Sequence, residues 1–423
     1  MTRSPAPDSS GGSPATLARR LGTGDAVVVG LGSMIGAGVF AAFGPAAAAA
    51  GPGLLPALAL AALVAYCNAT SSARLAARYP ASGGTYVYGR ERLGEFWGYL
   101  AGWAFVVGKT ASCAAMALTV GAYAWPGHEH LVAVAAVAAI TAVDYAGVHR
   151  AAWVTRLIVA VVLVVLAVAV VACLAGGGAA PSPLAAGMTA GGVLQAAGLL
   201  FFAFAGYARV ATLGEEVRDP ARTIPRAIPI ALGLTLIVYA AVAVAVLAAL
   251  GPERLARSAA PIADAVRAAG AAGLVPLITV GAATAALGSL LALVLGVSRT
   301  VLAMARDGHL PRPLGVVHPR FRVPHRATLA VGLVVAVVAG VADVRGAIGF
   351  SSFGVLVYYA IANASAFTLA AGEGRPVRAV PVVGLAGCLL LAFSLPLPSA
   401  LAGAGVLAAG AVAWAVRRTP RRR

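Results

Sequence analysis

Two apolar stretches of this chain are interrupted by glycines where a membrane-crossing helix would otherwise run straight. They are Gly30-Leu31-Gly32-Ser33-Met34-Ile35-Gly36-Ala37-Gly38-Val39-Phe40 and Phe201-Phe202-Ala203-Phe204-Ala205-Gly206-Tyr207. In hydrocarbon every backbone N–H and C=O needs a partner, so a helix cannot open where it faces lipid. An opening at mid-depth survives only where it lines a cavity, and its released backbone groups can then hold a solute. Two such openings, one in each half of a chain, point to the binding site of a secondary transporter.

Composition places the chain in a bilayer. Of its 423 residues 61% are hydrophobic and only 11% charged, too little polar surface to cover a soluble core of this size. Runs near the ~20 residues that cross hydrocarbon recur. Twelve spans are expected, over 25–48, 54–73, 96–124, 130–147, 153–175, 192–213, 227–250, 273–298, 327–342, 346–370, 379–395 and 397–416. Residues 1–24 lack the basic-then-apolar order of a cleaved signal and are expected to form a disordered tail.

The net charge of +17 raises the question of nucleic acid, and the placement of the charges answers it. Of the 31 Lys and Arg residues, 25 fall in segments that the twelve spans put on one side: the N-terminal tail, Arg74 to Arg92, Arg150, Arg156, Arg218 to Arg226, Arg299 to Arg326, Arg375, Arg378 and residues 417–423. Only Arg254, Arg257, Arg267 and Arg345 fall opposite, while Lys109 and Arg209 lie inside spans. By the positive-inside rule both termini are expected on the cytoplasmic side of the cytoplasmic membrane, which needs an even number of spans. The charge orients the chain against its lipid bilayer, and no nucleic-acid partner is expected.

Cys67, Cys113, Cys173 and Cys388 sit within apolar spans without paired spacing, so neither a disulfide nor a metal is expected from them. The six histidines fall in connecting segments, which leaves no intramembrane zinc cluster to assemble. Three longer connections stand out. Residues 74–95 and 214–226 read as cytoplasmic loops, and 251–272 reads as an amphipathic helix over the outer face. With breaks in the first and sixth spans, the order fits two five-helix repeats of opposite orientation, about 25–175 and 192–370, followed by two extra helices at 379–416.

Gly30-x-Gly32-x-x-x-Gly36-x-Gly38 fails the dinucleotide fingerprint, whose last interval is shorter and which follows a strand. Gly32-x-x-x-Gly36 also matches the small-residue pattern of packed membrane helices, so packing and binding both remain open for these glycines. Under the binding reading, N–H groups freed at the start of the outer half-helix face a carboxylate. Carbonyls freed near Gly206 face an ammonium. A zwitterionic amino acid fits both.

The same segments carry a resemblance to the amino acid–polyamine–organocation superfamily of permeases. Matching pieces are Gly32 to Phe40, Arg78-Tyr79-Pro80-Ala81-Ser82-Gly83-Gly84-Thr85-Tyr86, Gly94-Glu95-Phe96-Trp97-Gly98 and Phe201 to Tyr207. Glu215-Glu216-Val217-Arg218-Asp219-Pro220, Thr223-Ile224-Pro225-Arg226-Ala227-Ile228, Ser298-Arg299 and Met304-Ala305-Arg306-Asp307-Gly308 follow in the family's order. The resemblance implies the all-α, leucine-transporter-like fold of twelve helices with helices 1 and 6 broken, and amino-acid transport by alternating access. It implies that Ser33, Met34, Ile35, Gly36, Ala37 and Gly38 hold the substrate carboxylate. Phe204, Ala205 and Gly206 would meet the amino group, with Phe204 and Tyr207 as gates or walls. No cofactor is expected, since ion or exchange gradients supply the energy; protons are the candidate coupling partner.

Two departures matter. Many relatives place a lysine midway along the fifth span, where this chain has Val162, and many carry an acidic residue where it has Ala208, followed by Arg209. Lys109 and Arg209 are thus the candidate functional charges, since a charge at a helix centre costs at least ~2.5 kcal/mol. For Lys109 the bland alternative is snorkelling, and for Arg209 it is pairing with Glu215. In the coupling reading Lys109 neutralises first-span carbonyl ends in one conformational state and releases a proton in another, which an arginine could not do. Ser289 either meets the first-span carbonyls or simply packs. An organocation carrier is the rival substrate class, opposed by two deep cations and no deep carboxylate. A channel would need a carbonyl loop or charged ring, and an intramembrane enzyme a His/Cys/Asp/Glu constellation; the spans offer neither.

Overall fold

A computed structural model describes residues 21–79, 83–147, 152–176, 188–207, 210 and 217–418. Among them the structure is helical apart from one β-bridge, between Leu21 and Val217. The first apolar stretch forms three pieces, α1 (Thr23–Met34), α2 (Ala37–Ala41) and α3 (Phe43–Ala50). Then come α4 (Leu54–Arg78), α5 (Thr85–Leu93), α6 (Glu95–Ala124), α7 (Glu129–Tyr145), α8 (Ala152–Ala175) and α9 (Ala190–Phe204). The chain continues through α10 (Pro220–Arg257), α11 (Pro261–Ala268), α12 (Val275–Arg306), α13 (His325–Val341), α14 (Val344–Phe367), α15 (Ala379–Ser394) and α16 (Leu397–Arg418).

Nine helical segments among the described residues are long and apolar enough to cross a membrane. Large apolar side chains stand exposed along α8, α10, α13 and α16, among them Val171, Ile237, Leu333 and Val416. Such surface on helices long enough to cross hydrocarbon is suited to lipid, and the chain is an integral membrane protein of many helical spans. The helices α7, α13 and α15 are shorter, at 17, 17 and 16 residues.

At the centre, α6 packs against α12 on one side and α14 on the other. The approach is close because small residues meet. A Cβ on Gly108 would sit 3.3 Å from the backbone of Gly354, and Ser112 and Ser351 hydroxyls lie 2.5 Å apart. Without a hydrophobic driving force between helices in lipid, such packing and buried hydrogen bonds hold them together. A second polar knot joins α4, α14 and α15, where Asn363 donates to Asn68 at 2.6 Å and Ser71 to Asn363 at 2.7 Å. Tyr99 and Trp103 of α6 donate to the Gly410 and Val406 carbonyls and pin α16.

The connections depart from the sequence reading. The stretch 74–95 is mostly helix: α4 runs on to Arg78 and α5 starts at Thr85. Helix α10 starts at Pro220, inside the expected 214–226 loop, because proline suits the first helical turn and needs no N–H partner there. The single amphipathic helix expected over 251–272 is two pieces. Gly251, at φ +70°, breaks the end of α10, and α11 restarts at Pro261. Its Ile262, Ala265 and Val266 are buried against the protein rather than laid on a membrane surface. His130 and His325 belong to the first turns of α7 and α13, not to loops.

Candidate functional site

The two interrupted helices meet at their breaks. At Ile35 the backbone (φ −79°, ψ 65°) makes an inverse γ-turn, and Gly36 N–H donates to the Met34 carbonyl at 2.8 Å. The chain resumes as α2 with Gly36 preceding it and no side chain capping its first N–H groups. On the other side α9 ends at Phe204 and tightens into a 3-10 turn over Ala205–Tyr207.

The glycines let these pieces touch. A Cβ on Gly206 would lie 2.1 Å from the Ser33 carbonyl oxygen, and one on Gly38 would lie 2.7 Å from Ala203. A Cβ on Gly36 would fall 2.0 Å from Ser289 Oγ, and one on Gly32 would fall 3.0 Å from Val159. Between packing and binding, their direct role in the structure is close approach of helices. Tyr239 of α10 ties the two breaks: its hydroxyl lies 2.6 Å from the Met34 carbonyl and 3.0 Å from that of Ala203, and one proton serves both. Sequence reading missed this residue, although a lone tyrosine in an aliphatic span must find a partner for its hydroxyl.

A cavity of ≈ 240 Å³ opens beside the contact. Two helix faces build most of it. From α6 come Gly102, Phe105, Lys109, Ser112 and Met116, and from α12 come Ser289, Leu293, Gly296, Arg299, Thr300 and Ala303. The α6 set steps by three or four residues and the α12 set recurs at the same interval, widened by the adjacent pair Arg299 and Thr300, so each follows one helical face and extends about 21 Å at 1.5 Å per residue. Ser33, Ala205 and Gly206 contribute the broken elements, with Phe202 and Tyr358 as further walls. Gly83 and Tyr86 join Arg299 and Ala303 at the end that carries most of the arginines. There the Tyr86 hydroxyl meets Asp307 and lies 2.9 Å from His309 Nδ1.

Of the predicted substrate residues, only Ser33, Ala205 and Gly206 line this space. Met34, Ile35, Gly36, Ala37 and Gly38 are buried beside it. Phe204 packs behind the wall on Tyr239, and Tyr207 stacks on Tyr359 with 4.9 Å between ring centroids. Aromatic walls come instead from Phe105, Phe202, Tyr86 and Tyr358, whose facing the sequence gives no means to read.

Lys109 lines the cavity and is buried, with its Nζ donating to the Ala205 carbonyl at 3.3 Å. Tyr359 donates to the same oxygen at 3.3 Å. Lys109 thus reaches the carbonyls of the second break, not the first-span carbonyl ends, and it does not snorkel. Its place on α6 puts it against the turn at Ala205 rather than against α1. Ser289 stands against Gly36 with a buried hydroxyl that has no described partner. Ser33 donates to its own helix at Val29, 2.8 Å away. Val162 is buried in α8. Arg209, Ala208, Glu215 and Glu216 lie outside the described residues. Among those described, no group of three or more His, Cys, Asp and Glu residues is arranged to hold a metal ion.

Comparison with known proteins adds the family. The amino acid permease family profile matches residues 21–415. An uncharacterized transporter of Mycobacterium tuberculosis strain H37Rv is 71% identical over 412 residues, covering 97% of this chain and 94% of the relative. A branched-chain amino acid permease of Bacillus subtilis is 29% identical over 90% of this chain and 89% of its own. The methylthioribose transporter of the same organism is 28% identical with the same coverage.

Proposed function

Because the chain belongs to the amino acid permease family, and is therefore a transporter and not an enzyme, we propose that it carries amino acids across the cytoplasmic membrane by alternating access. The observation that carries this reading is the contact of two interrupted helices at the inner end of a cavity, an arrangement suited to holding a small polar solute by backbone and hydroxyl groups. In this reading the twelve apolar stretches are twelve spans. The first ten form two inverted repeats, about 25–175 and 192–370, α15 and α16 are additional, and both termini are cytoplasmic. Ser33, Ala205, Gly206 and Ser289 are the substrate-facing set, supported by their place in the cavity lining.

The direction of opening follows. The cavity reaches the arginine-rich end, and on the far side of the breaks Tyr123 donates to the Phe40 carbonyl at 2.9 Å and accepts the Ile262 N–H at 3.3 Å. The structure is then inward-open, with α2, α6 and α11 forming the outer seal. An outward state must part those bonds and close the space between the facing stripes of α6 and α12. Proton symport or exchange supplies the energy, with Lys109 as the group that can gain and lose a proton.

The test is uptake of a panel of labelled amino acids into proteoliposomes, with and without an imposed pH gradient. Saturable uptake that an unlabelled competitor abolishes is expected. Absence of uptake and counterflow for every amino acid, from protein that remains folded, would refute the reading.

A further inference from the structure

The charge of the cavity does not suit a solute that is neutral overall. Lys109 and Arg299 line it, and none of the described lining residues is Asp or Glu. Lys109 is only 5% exposed. Its ammonium has three donors, of which the Ala205 carbonyl takes one at 3.3 Å. Among the described residues no carboxylate comes within ion-pair distance of Lys109; the ion pairs formed there involve arginines alone. A buried ammonium without a counter-ion gives up its proton or is held charged by an anion that a ligand supplies.

A second observation points the same way. The Ala205 carbonyl, the acceptor that a substrate ammonium would use, already receives Lys109 and Tyr359. A solute ammonium placed there would face the ammonium of Lys109. The buried Ser289 hydroxyl, without a described partner, offers a further donor on the opposite wall. Arg299, exposed at the mouth, puts positive potential where a solute enters, and a cleft lined by one sign of charge concentrates the opposite sign.

We propose that this cavity takes carboxylates of net negative charge, acidic amino acids first among them, with one carboxylate seated on Lys109. The proposal rests on the transporter reading and deepens it by naming the substrate class. A zwitterion brings a single carboxylate against the two cations of the lining. A dicarboxylic amino acid adds a second anionic group for the second cation.

The experiment is thermal unfolding of the full-length protein in detergent micelles with L-glutamate, L-aspartate, 2-oxoglutarate, L-leucine or L-lysine, repeated in Lys109→Met and Arg299→Gln. Saturable stabilisation by glutamate or aspartate is expected, weakened about 30-fold or more in Lys109→Met, as for loss of one partner of a buried charge pair. In Arg299→Gln, an exposed position that the fold tolerates, affinity falls several-fold and loses part of its salt dependence. Stabilisation by leucine or lysine but not by the acidic solutes overturns the inference and leaves the amino-acid reading standing. Stabilisation by 2-oxoglutarate without glutamate keeps the anionic site and overturns the amino-acid reading. No stabilisation by any of the five overturns the inference, while the amino-acid reading stands or falls by the uptake panel. Unchanged glutamate affinity in both variants also sinks the assignment to these cations.

Discussion

Gly206→Ala tests whether contact between the two breaks organises the centre of this protein. The added Cβ would lie 2.1 Å from the Ser33 carbonyl oxygen, 2.4 Å from its carbon and 2.7 Å from Met34 N. All three obstacles are backbone, so no side chain can rotate away, and α1 and the turn after α9 must separate by about 1 Å to restore ordinary contact. Overpacking of this kind costs about 1–3 kcal/mol. The separation also stretches the Tyr239 link to Met34 and Ala203, worth about 1 kcal/mol. A loss of about 2–4 kcal/mol is expected. Gly36→Ala should cost less, because its nearest obstacle is the Ser289 hydroxyl at 2.0 Å, and Ser289→Ala in the same chain should recover part of the loss. Gly233→Ala is the control: a Cβ there meets nothing within 4 Å, and exchanging Gly for Ala within a helix gains up to about 1 kcal/mol. Denaturant-titrated unfolding in mixed micelles reads the order, and uptake into proteoliposomes reads function. A Gly206→Ala protein as stable and active as Gly233→Ala would refute the reasoning.

Tyr239→Phe removes the hydroxyl shared by both breaks; Met34 O keeps the Gly36 N–H, so about 1–2 kcal/mol of stability should be lost, visible in the same titration, together with slower uptake. Glu373, after α14, is held by Arg92 at 2.6 Å and Arg78 at 3.2 Å. Its hydrogen bonds to Arg92, the Ala370 N–H and Arg78 draw its pKa from 4.5 to about 2. A lowered carboxylate pKa stabilises above the unfolded value and loses that contribution as pH falls through the folded one. The stability gap between wild type and Glu373→Gln should therefore be full near neutrality and shrink as pH falls from 4.5 toward about 2; a gap independent of pH would exclude the ion pairs as its source. Single cysteines at Arg222 and Arg257, exposed at opposite ends of α10, should react with an impermeant thiol reagent only from the inside and only from the outside respectively. The four native cysteines are buried, and labelling of both positions from one side would overturn the orientation.

Much of the architecture is local and was legible in the chain. Hydrocarbon thickness and the need to satisfy each backbone group fix the length of an apolar run, so α4, α6 to α10 and α12 to α16 fall on runs that could be bounded by inspection, whereas α5 and α11 do not. The helix stop at Ile35 and the turn at Ala205 both fall within the glycine-marked stretches. The cavity lining was far less legible. A helix that is apolar all round has no polar face to report which side meets protein and which meets lipid, and lipid tails are as apolar as a packed interior. For that reason Tyr239, Phe202 and the α12 stripe beyond Ser289 were not identified from sequence, while Phe204 and Tyr207 were assigned to a wall behind which they are packed.

Lys109 shows where the two kinds of information divide. The sequence alone determined that a lone ammonium sits deep in an apolar helix, and the free energy of placing it there made it a functional candidate without any coordinates. Only the tertiary structure decided what it faces: the Ala205 carbonyl rather than the first helix, within reach of a cavity that has no described carboxylate to balance it. Helix formation is settled by neighbours along the chain, whereas the partner of a buried charge is settled by which helices pack against its own. Here that packing is set by Gly108 meeting Gly354 and by the contact of the two broken helices, residues far apart in the chain that only the assembled bundle brings together.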